Sequence, residues 1–291
     1  MIEYPEAATI ARQIAKTLVG KRIQSAMRGN APHKWAFYSR PAEEYAAILQ
    51  GQTVVGAEAS GSAILVRISS GHTLVLGGGG ERILYHATAA TVPQKHQLLL
   101  HFDDDTFLSV NVQGWGSCQL YTPEEIEGDA CHGRRTLEAA DGGFTREYFE
   151  GLFATLAPDD ARSVKYFLIS QPGVSGLGNG YLQDILLAAR LHPRRRAVDL
   201  TKPQRSALYK AVVQTIKRAV HLSGRTDEHD LFGQTGGYKR LLSASAAGKP
   251  CPACGEAAIV KEAFLGGAIY TCPQCQPAPP KPERRTARKK R

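Results

Sequence analysis

The sequence predicts an α+β multidomain chain: an N-terminal β-sandwich or barrel with one N-terminal helix, a helical domain, and a four-cysteine zinc-finger β-hairpin. Three observations carry this. Apolar residues alternate through roughly the first 125 positions and then recur at helical spacing from residue 144. Two Cys-x-x-Cys pairs follow near the C-terminus. The chain has 291 residues, 43% hydrophobic and 22% charged, with no apolar run of 18 or more. That composition is globular and excludes a membrane-spanning helix.

The start, MIEYPEAATIARQ, has acids at Glu3 and Glu6 and neither a basic start nor an apolar stretch, unlike a secretory signal. Pro5 suits a first helical turn, and Ile10, Ile14 and Leu18 recur on one face before Gly20 ends the helix. Then come TVVGAEA, AILVRIS, HTLVLGG, RILYHA, HQLLLHF, TFLSVNV and CQLYT, separated by SSGH, GGGGE and FDDDT. These read as antiparallel hairpins over 1–125. Residues 126–143 read as a linker. Four segments with helical periodicity, TREYFEGLFATL, SVKYFLIS, GYLQDILLAARL and KPQRSALYKAVVQTIKRAVHLS, make 144–224 a helical domain. A polar, glycine-containing connection leads into the cysteine module, the two together spanning 225–276.

Cys251-Pro-Ala-Cys254 and Cys272-Pro-Gln-Cys275, with 17 residues between, have the spacing of a tetrahedral four-thiolate structural Zn2+ site. The alternative is a pair of redox motifs or disulfides, which the absence of a signal and of a strand–CxxC–helix context disfavours. Ile259, Val260, Phe264, Ile269 and Tyr270 would pack the intervening hairpin. Cys118 and Cys131 read as ordinary buried or loop thiols. The net charge is +9, yet residues 277–291 hold seven bases, one acid and four prolines, so six of those charges sit on an expected disordered tail. Such a tail attracts polyanions or merely aids solubility.

Between the second and third of those helices runs QPGVSGLGNGY, with glycines at 173, 176, 178 and 180 and a helix directly after. Exposed N–H groups at a helix start suit phosphate, with Gly178 and Asn179 at that position. A plain turn between packed helices is the bland alternative.

GLGNGYLQDILLAARLHPRRRA resembles the helix–two-turn–helix segment of the formamidopyrimidine-DNA glycosylase / endonuclease VIII family of base-excision repair proteins. The likeness covers nearly the whole chain except the tail. It includes the first residues, the order β-domain, helical domain and four-cysteine finger, and Val164-Lys165 before the turn. The resemblance implies a monomer that clamps duplex DNA bearing a damaged base or abasic site, kinks it and flips the damaged nucleotide. It implies no membrane partner and a cytoplasmic, nucleoid-associated location. It makes Lys165, Gly178 and Asn179 DNA-binding residues, with the turn bearing Asn179 and the zinc hairpin gripping phosphates around the lesion.

In that family the N-terminal proline amine attacks C1′ of the sugar and an adjacent glutamate protonates the ring oxygen. Glu3, Pro5 and Glu6 occupy the matching places here, but the nucleophile position is Ile2. A bulky second residue should leave Met1 in place, so the free amine lies at Met1, one residue early. Glu3, Met1 and Glu6 are accordingly the candidate catalytic residues. The family's strand lysine aligns with Ser62, its finger arginine with Gly267 or Gly266, and its inserted methionine with a glycine of LGGGGERI. Its remaining wedge residues align with Gln113 and Trp115. Trp115 could stack between bases or be a buried sandwich residue. Two readings follow: a DNA glycosylase with weak or absent lyase activity, or a lesion- or nick-binding protein without chemistry. A ribosome- or transcription-associated basic protein is a third, disfavoured by the N-terminus.

Overall fold

The computed structural model describes residues 1–128 and 144–280. Cys131 and most of the expected linker and tail lie outside them.

Helix α1 (Tyr4–Thr17) starts as expected, with proline in its first turn and the Glu6 carboxylate accepting the Glu3 N–H at 3.0 Å. The strands β1 (Ile23–Arg28), β7 (Leu98–Phe102), β8 (Phe107–Val112) and β6 (Glu81–His86) form one sheet in the order β1-β7-β8-β6. The other runs β2-β9-β5-β4-β3, from β2 (Ala36–Phe37), β9 (Gly116–Tyr121), β5 (Thr73–Gly77), β4 (Ala63–Ile68) and β3 (Val54–Ser60). All pairings are antiparallel except β2 with β9. Their apolar faces meet in one core that includes Ile64, Val66, Leu74, Leu76, Leu100, Leu108, Val110 and Leu120. The run AILVRIS lacks alternation because β4 is covered on both faces. Ala63, Leu65 and Val75 form a second small cluster on which Ile126 packs.

The sequence reading missed β1 and a second helix, α2 (Ala42–Leu49). In β1 only Ile23 and Ala26 face inward, and α2 buries only Tyr45 and Leu49, so neither carries a strong periodic signal. The expected linker begins inside a short helix, α3 (Pro123–Gly128).

Helices α4 (Arg146–Ala154), α5 (Val164–Ile169), α6 (Asn179–Ala188) and α7 (Lys202–His221) form the second domain. Thr145, Ser163 and Thr201 cap three of them through side-chain oxygens. Helix α6 is buried on all sides from Gly180 to Leu187, which places it at the centre. The segment after α7 is more than a connection. Leu231 enters the β-domain core, while the Asp184 carboxylate of α6 accepts Tyr238 Oη–H and the N–H groups of Leu241 and Leu242. Strands β10 (Val260–Phe264) and β11 (Gly267–Thr271) make the last hairpin. Gln183 of α6 accepts the Tyr270 N–H, and Gln276 donates to Leu191 O just past the end of α6, so the cysteine module is fastened to α6 and the turn after it.

Candidate nucleic-acid interface at the N-terminus

The first residues of α1 lie where both domains meet. Ile2 is buried in the β-domain core, and its N–H donates to Gly79 O at 2.7 Å. Tyr4 N–H donates to Gly176 O at 2.8 Å, across the domain boundary. The Glu3 carboxylate accepts the N–H groups of Gly178 (2.8 Å) and Gly180 (2.7 Å) at the start of α6. A side chain at Gly180 is impossible in this arrangement: its Cβ would fall 1.6 Å from an Arg225 nitrogen. The glycine pattern thus lets the α6 start close on α1, and the Gly178 N–H is taken by Glu3.

Arg225, inside the segment expected as a polar connection, is the buried cation of this junction. Its guanidinium lies 2.8 Å from Glu3, 3.6 Å from Glu6, 3.7 Å from Asp227 and 3.3 Å from Glu228. It also donates to Met1 O. Glu6 further accepts Tyr181 Oη–H at 2.6 Å and the Arg225 N–H at 3.0 Å. Burial pushes the Glu6 carboxyl above its ordinary range, against the pull of Arg225. The Met1 α-amine pairs with Glu228, and Met1 is exposed. Two buried carboxylates at the start of α1 require a buried cation, but their burial is itself decided by the tertiary structure, so the sequence carried no signal for Arg225.

A cleft of about 300 Å³ opens here, lined by Met1, Glu3, Asn179, Arg225, Glu228 and Tyr270 among others. Lys165 lies at its hairpin side. It is fully buried, its ammonium donates to Phe264 O at 2.8 Å, and burial pushes its pKa below the ordinary lysine range. A Cβ built at Gly267 would lie 3.7 Å from both Lys165 Nζ and Asn179 Nδ2. Lys165, Asn179 and the hairpin position Gly267 therefore meet at one place, where Gly267 lacks a side chain, whereas the Gly178 N–H is held by Glu3. Asn179 Oδ1 is buried without a hydrogen-bond partner.

On the sandwich side, Gly80 N–H donates to Trp115 O at 2.8 Å and Gln113 N–H to Gly80 O at 2.7 Å. A Cβ at Gly79 would lie 2.2 Å from Trp115 O, and one at Gly80 would lie 2.0 Å from Gln113 O. Buried Glu81 fixes the same turn through the N–H groups of Gly79 and Ser117. Gln113 and Trp115 are exposed, which removes the alternative of a buried sandwich tryptophan. Ser62 sits in the β3–β4 turn beside Gly78.

The four cysteine sulfurs of Cys251, Cys254, Cys272 and Cys275 lie within 4.8 Å of one another. Cys254 and Cys272 Sγ are 3.7 Å apart, close to the ~3.8 Å edge of a tetrahedron with 2.3 Å Zn–S bonds. Backbone N–H groups of Ala253 and Cys275 point at Cys251 and Cys272 Sγ, both at 3.3 Å. The donor set fits a four-thiolate metal. Of the expected hairpin residues, Ile259 and Ile269 are buried, Phe264 and Tyr270 partly so, and Val260 is exposed. Cys118 is buried in the sandwich core.

A β-sandwich joined through its N-terminus to a helix–two-turn–helix unit, with a thiolate hairpin beside the junction, defines the class of helix–two-turn–helix DNA glycosylase folds. The chain belongs to the formamidopyrimidine-DNA glycosylase family. Residues 1–116 match the formamidopyrimidine-DNA glycosylase N-terminal domain, and residues 139–230 match the H2TH domain of the same family. It is 30% identical over 288 residues to a formamidopyrimidine-DNA glycosylase of an Exiguobacterium species, covering 95% of this chain and 99% of the relative. The enzyme of Cytobacillus firmus is 29% identical over 290 residues, covering 95% and 100%. Among solved structures, Lactococcus lactis Fpg in complex with abasic-site DNA superposes with a TM-score of 0.82 at 23% identity, covering 95% of this chain and all (100%) of that one. Thermus thermophilus MutM (Fpg) gives 0.78 at 24%, covering 96% and 100%.

Proposed function

We propose that this chain is a base-excision repair protein that binds duplex DNA at damaged bases or abasic sites, with strand-cleaving lyase chemistry weak or absent. The observation that carries the second half is the Ile2 nitrogen. At the place of the family's proline amine stands a buried amide whose N–H is held by Gly79 O at 2.7 Å. An amide lone pair is delocalised into its carbonyl and attacks nothing. The Met1 amine lies one residue out and is held by Glu228. One residue is about 3.3–3.6 Å of extended chain, and a 1 Å misplacement already costs about 100-fold in rate.

Binding draws support from family membership and from the convergence of Lys165, Asn179 and the hairpin beside the N-terminus. Gly178 acts in this reading by docking Glu3, and Glu6 by holding Arg225 and Tyr181. Glu3 remains the residue on which any base removal depends. The three donors on its carboxylate, from Gly178, Gly180 and Arg225, equally favour the second reading, a lesion binder in which Glu3 only joins the domains. The metal is Zn2+ with a structural role, the protein acts as a monomer, and its place of work is the nucleoid in the cytoplasm. The domains run as 1–125, 144–224 and 225–276, with the basic tail at 277–291 supplying nonspecific attraction to DNA.

The test is incubation with duplexes carrying an abasic site, an oxidised purine or an oxidised pyrimidine, with and without borohydride. Base loss without a trapped adduct is the expected outcome, abolished by Glu3→Gln. Tight, lesion-selective binding without base loss selects the second reading. Robust trapping with Met1 shown intact by mass spectrometry overturns the lyase argument.

A further inference from the structure

Both tryptophans of the chain, Trp35 and Trp115, stand exposed on one edge of the sandwich, at 51% and 46%. Leaving two large aromatic rings in water is unfavourable, and tryptophan ordinarily buries most of its area. Their placement is fixed by the sheet. β2 pairs with β9 in parallel, Ala36 opposite Gly116 and Phe37 opposite Ser117. Trp35 and Trp115 are the residues one step before that pairing, and Gly116 N–H donates to Trp35 O at 2.9 Å. Phe37, 45% exposed, continues the apolar edge, and Lys34 Nζ lies 5.0 Å from the centre of the Trp35 ring.

This edge is continuous with the N-terminal site. Ile2 N–H reaches Gly79 O, Gly80 N–H reaches Trp115 O, and Gly116 N–H reaches Trp35 O. Three consecutive backbone links thus separate Trp35 from the residue at the family's nucleophile position. At ~4.8 Å per link this is about 14 Å, the scale of a few stacked bases. Beside Trp35, a cleft of about 460 Å³ is lined by Asn30, His33, Gln94, Lys95 and Asn111. Amide and basic side chains suit a nucleic-acid strand better than an apolar protein surface.

We propose that Trp35 is a second stacking residue beside Trp115, the pair resting on the unpaired base opposite the lesion and on its neighbour. This rests on the reading of the chain as a damaged-DNA binder. Aromatic faces stack on any base, so the pair would hold the kinked strand without reading its sequence. It would do so where the glycines at 79 and 80 leave no room for an inserted side chain.

Because the chain has only these two tryptophans, its emission reports the proposal directly. In Trp115→Phe, which keeps a stacking ring, Trp35 is the sole emitter. Saturation with a duplex holding a tetrahydrofuran abasic analogue should quench it by more than half, and an intact duplex of equal length should quench it much less. Trp35→Ala should weaken binding to the abasic duplex about ten-fold or more, with less than two-fold change on the intact one. Trp35→Phe should restore most of the loss, which a generally disturbed fold would not do. Unchanged Trp35 emission at saturation, or equal weakening on both duplexes, overturns the proposal. If the unmodified protein binds both duplexes equally, the damaged-DNA reading itself falls, and this inference with it.

Discussion

Arg225 shows how a single buried charge can decide the local chemistry. It faces Glu3 and Glu6 inside the junction, and all three are almost wholly withdrawn from water. Replacing it with methionine would leave two carboxylates without their cation, a change that typically costs about 3–5 kcal/mol. Chemical denaturation of Arg225→Met should show that loss at neutral pH. The pH dependence has a definite sign. Glu6 is raised by burial above its ordinary 4.5, so the native state keeps its proton to higher pH than the unfolded chain. Its contribution to stability is complete below 4.5 and is lost as pH rises through the raised value. Without Arg225 that value rises further, so the variant's deficit should shrink when the measurement is repeated at pH 5. An equal deficit at both pH values would contradict this. At the neighbouring position, Ile2→Pro should allow Met1 removal and expose a secondary amine. Borohydride trapping on abasic DNA should then appear, though incompletely, since Ser62 and Gly267 supply neither lysine nor arginine. No trapping in the processed variant would place the defect outside the nucleophile.

Helix α6 and the cysteine hairpin carry the next set of constraints. Gly180 is the second residue of α6, where alanine would normally be preferred to glycine by about 1 kcal/mol. Here the relation inverts, because the added Cβ meets Arg225 at 1.6 Å and Glu3 at 2.5 Å. Gly180→Ala should destabilise by about 1–3 kcal/mol through overpacking, and thermal unfolding would show whether it does. The hairpin has a core of few residues, Leu242, Ile259 and the cysteines, with Leu187 of α6 beneath. Such a cluster is too small to fold unaided, and structural zinc contributes roughly 10–16 kcal/mol in isolated fingers. One zinc per chain is expected by metal analysis. Chelation should unmask the Cys251, Cys254, Cys272 and Cys275 thiols and loosen the hairpin while the sandwich, with its own core, persists. Cys118 should stay unreactive, since burial pushes its thiol far up. Metal-free protein with a protected hairpin would refute the assignment.

At the scale of the whole molecule, α1 belongs to both cores. Ile10 and Ile14 pack into the sandwich, while Tyr4 packs with the helical domain. The two domains are therefore set against each other by the first turn of one helix, the α6 start and Arg225. Across the cleft so formed, DNA binding should follow salt steeply. Neutralising about six phosphates gives a slope of log K against log salt near −5. Deleting 277–291 should flatten the slope while leaving lesion preference intact, and Asn179→Ala should weaken all duplexes alike. An identical slope for the truncated protein would make the tail a bystander.

The two-part architecture, the strands from β3 to β9, helices α4 to α7 and the cysteine quartet were legible because each is written in local spacing. Period two, period 3.6 and CxxC need no tertiary context. The family resemblance was legible for the same reason, in short contiguous motifs. Strand β1 and helix α2 were not, because their inward residues are few and acquire meaning only once the sandwich covers them. Nor was Arg225, whose partners lie 222 and 219 positions away in the chain. The same holds for the glycines of the α6 turn. Their spacing suggests an open phosphate loop, but packing gives Gly178 and Gly180 to Glu3. The side chains that meet at the junction of the two domains were decided by tertiary structure alone, because a buried charge finds its partner by proximity in space, and the sequence encodes only local order.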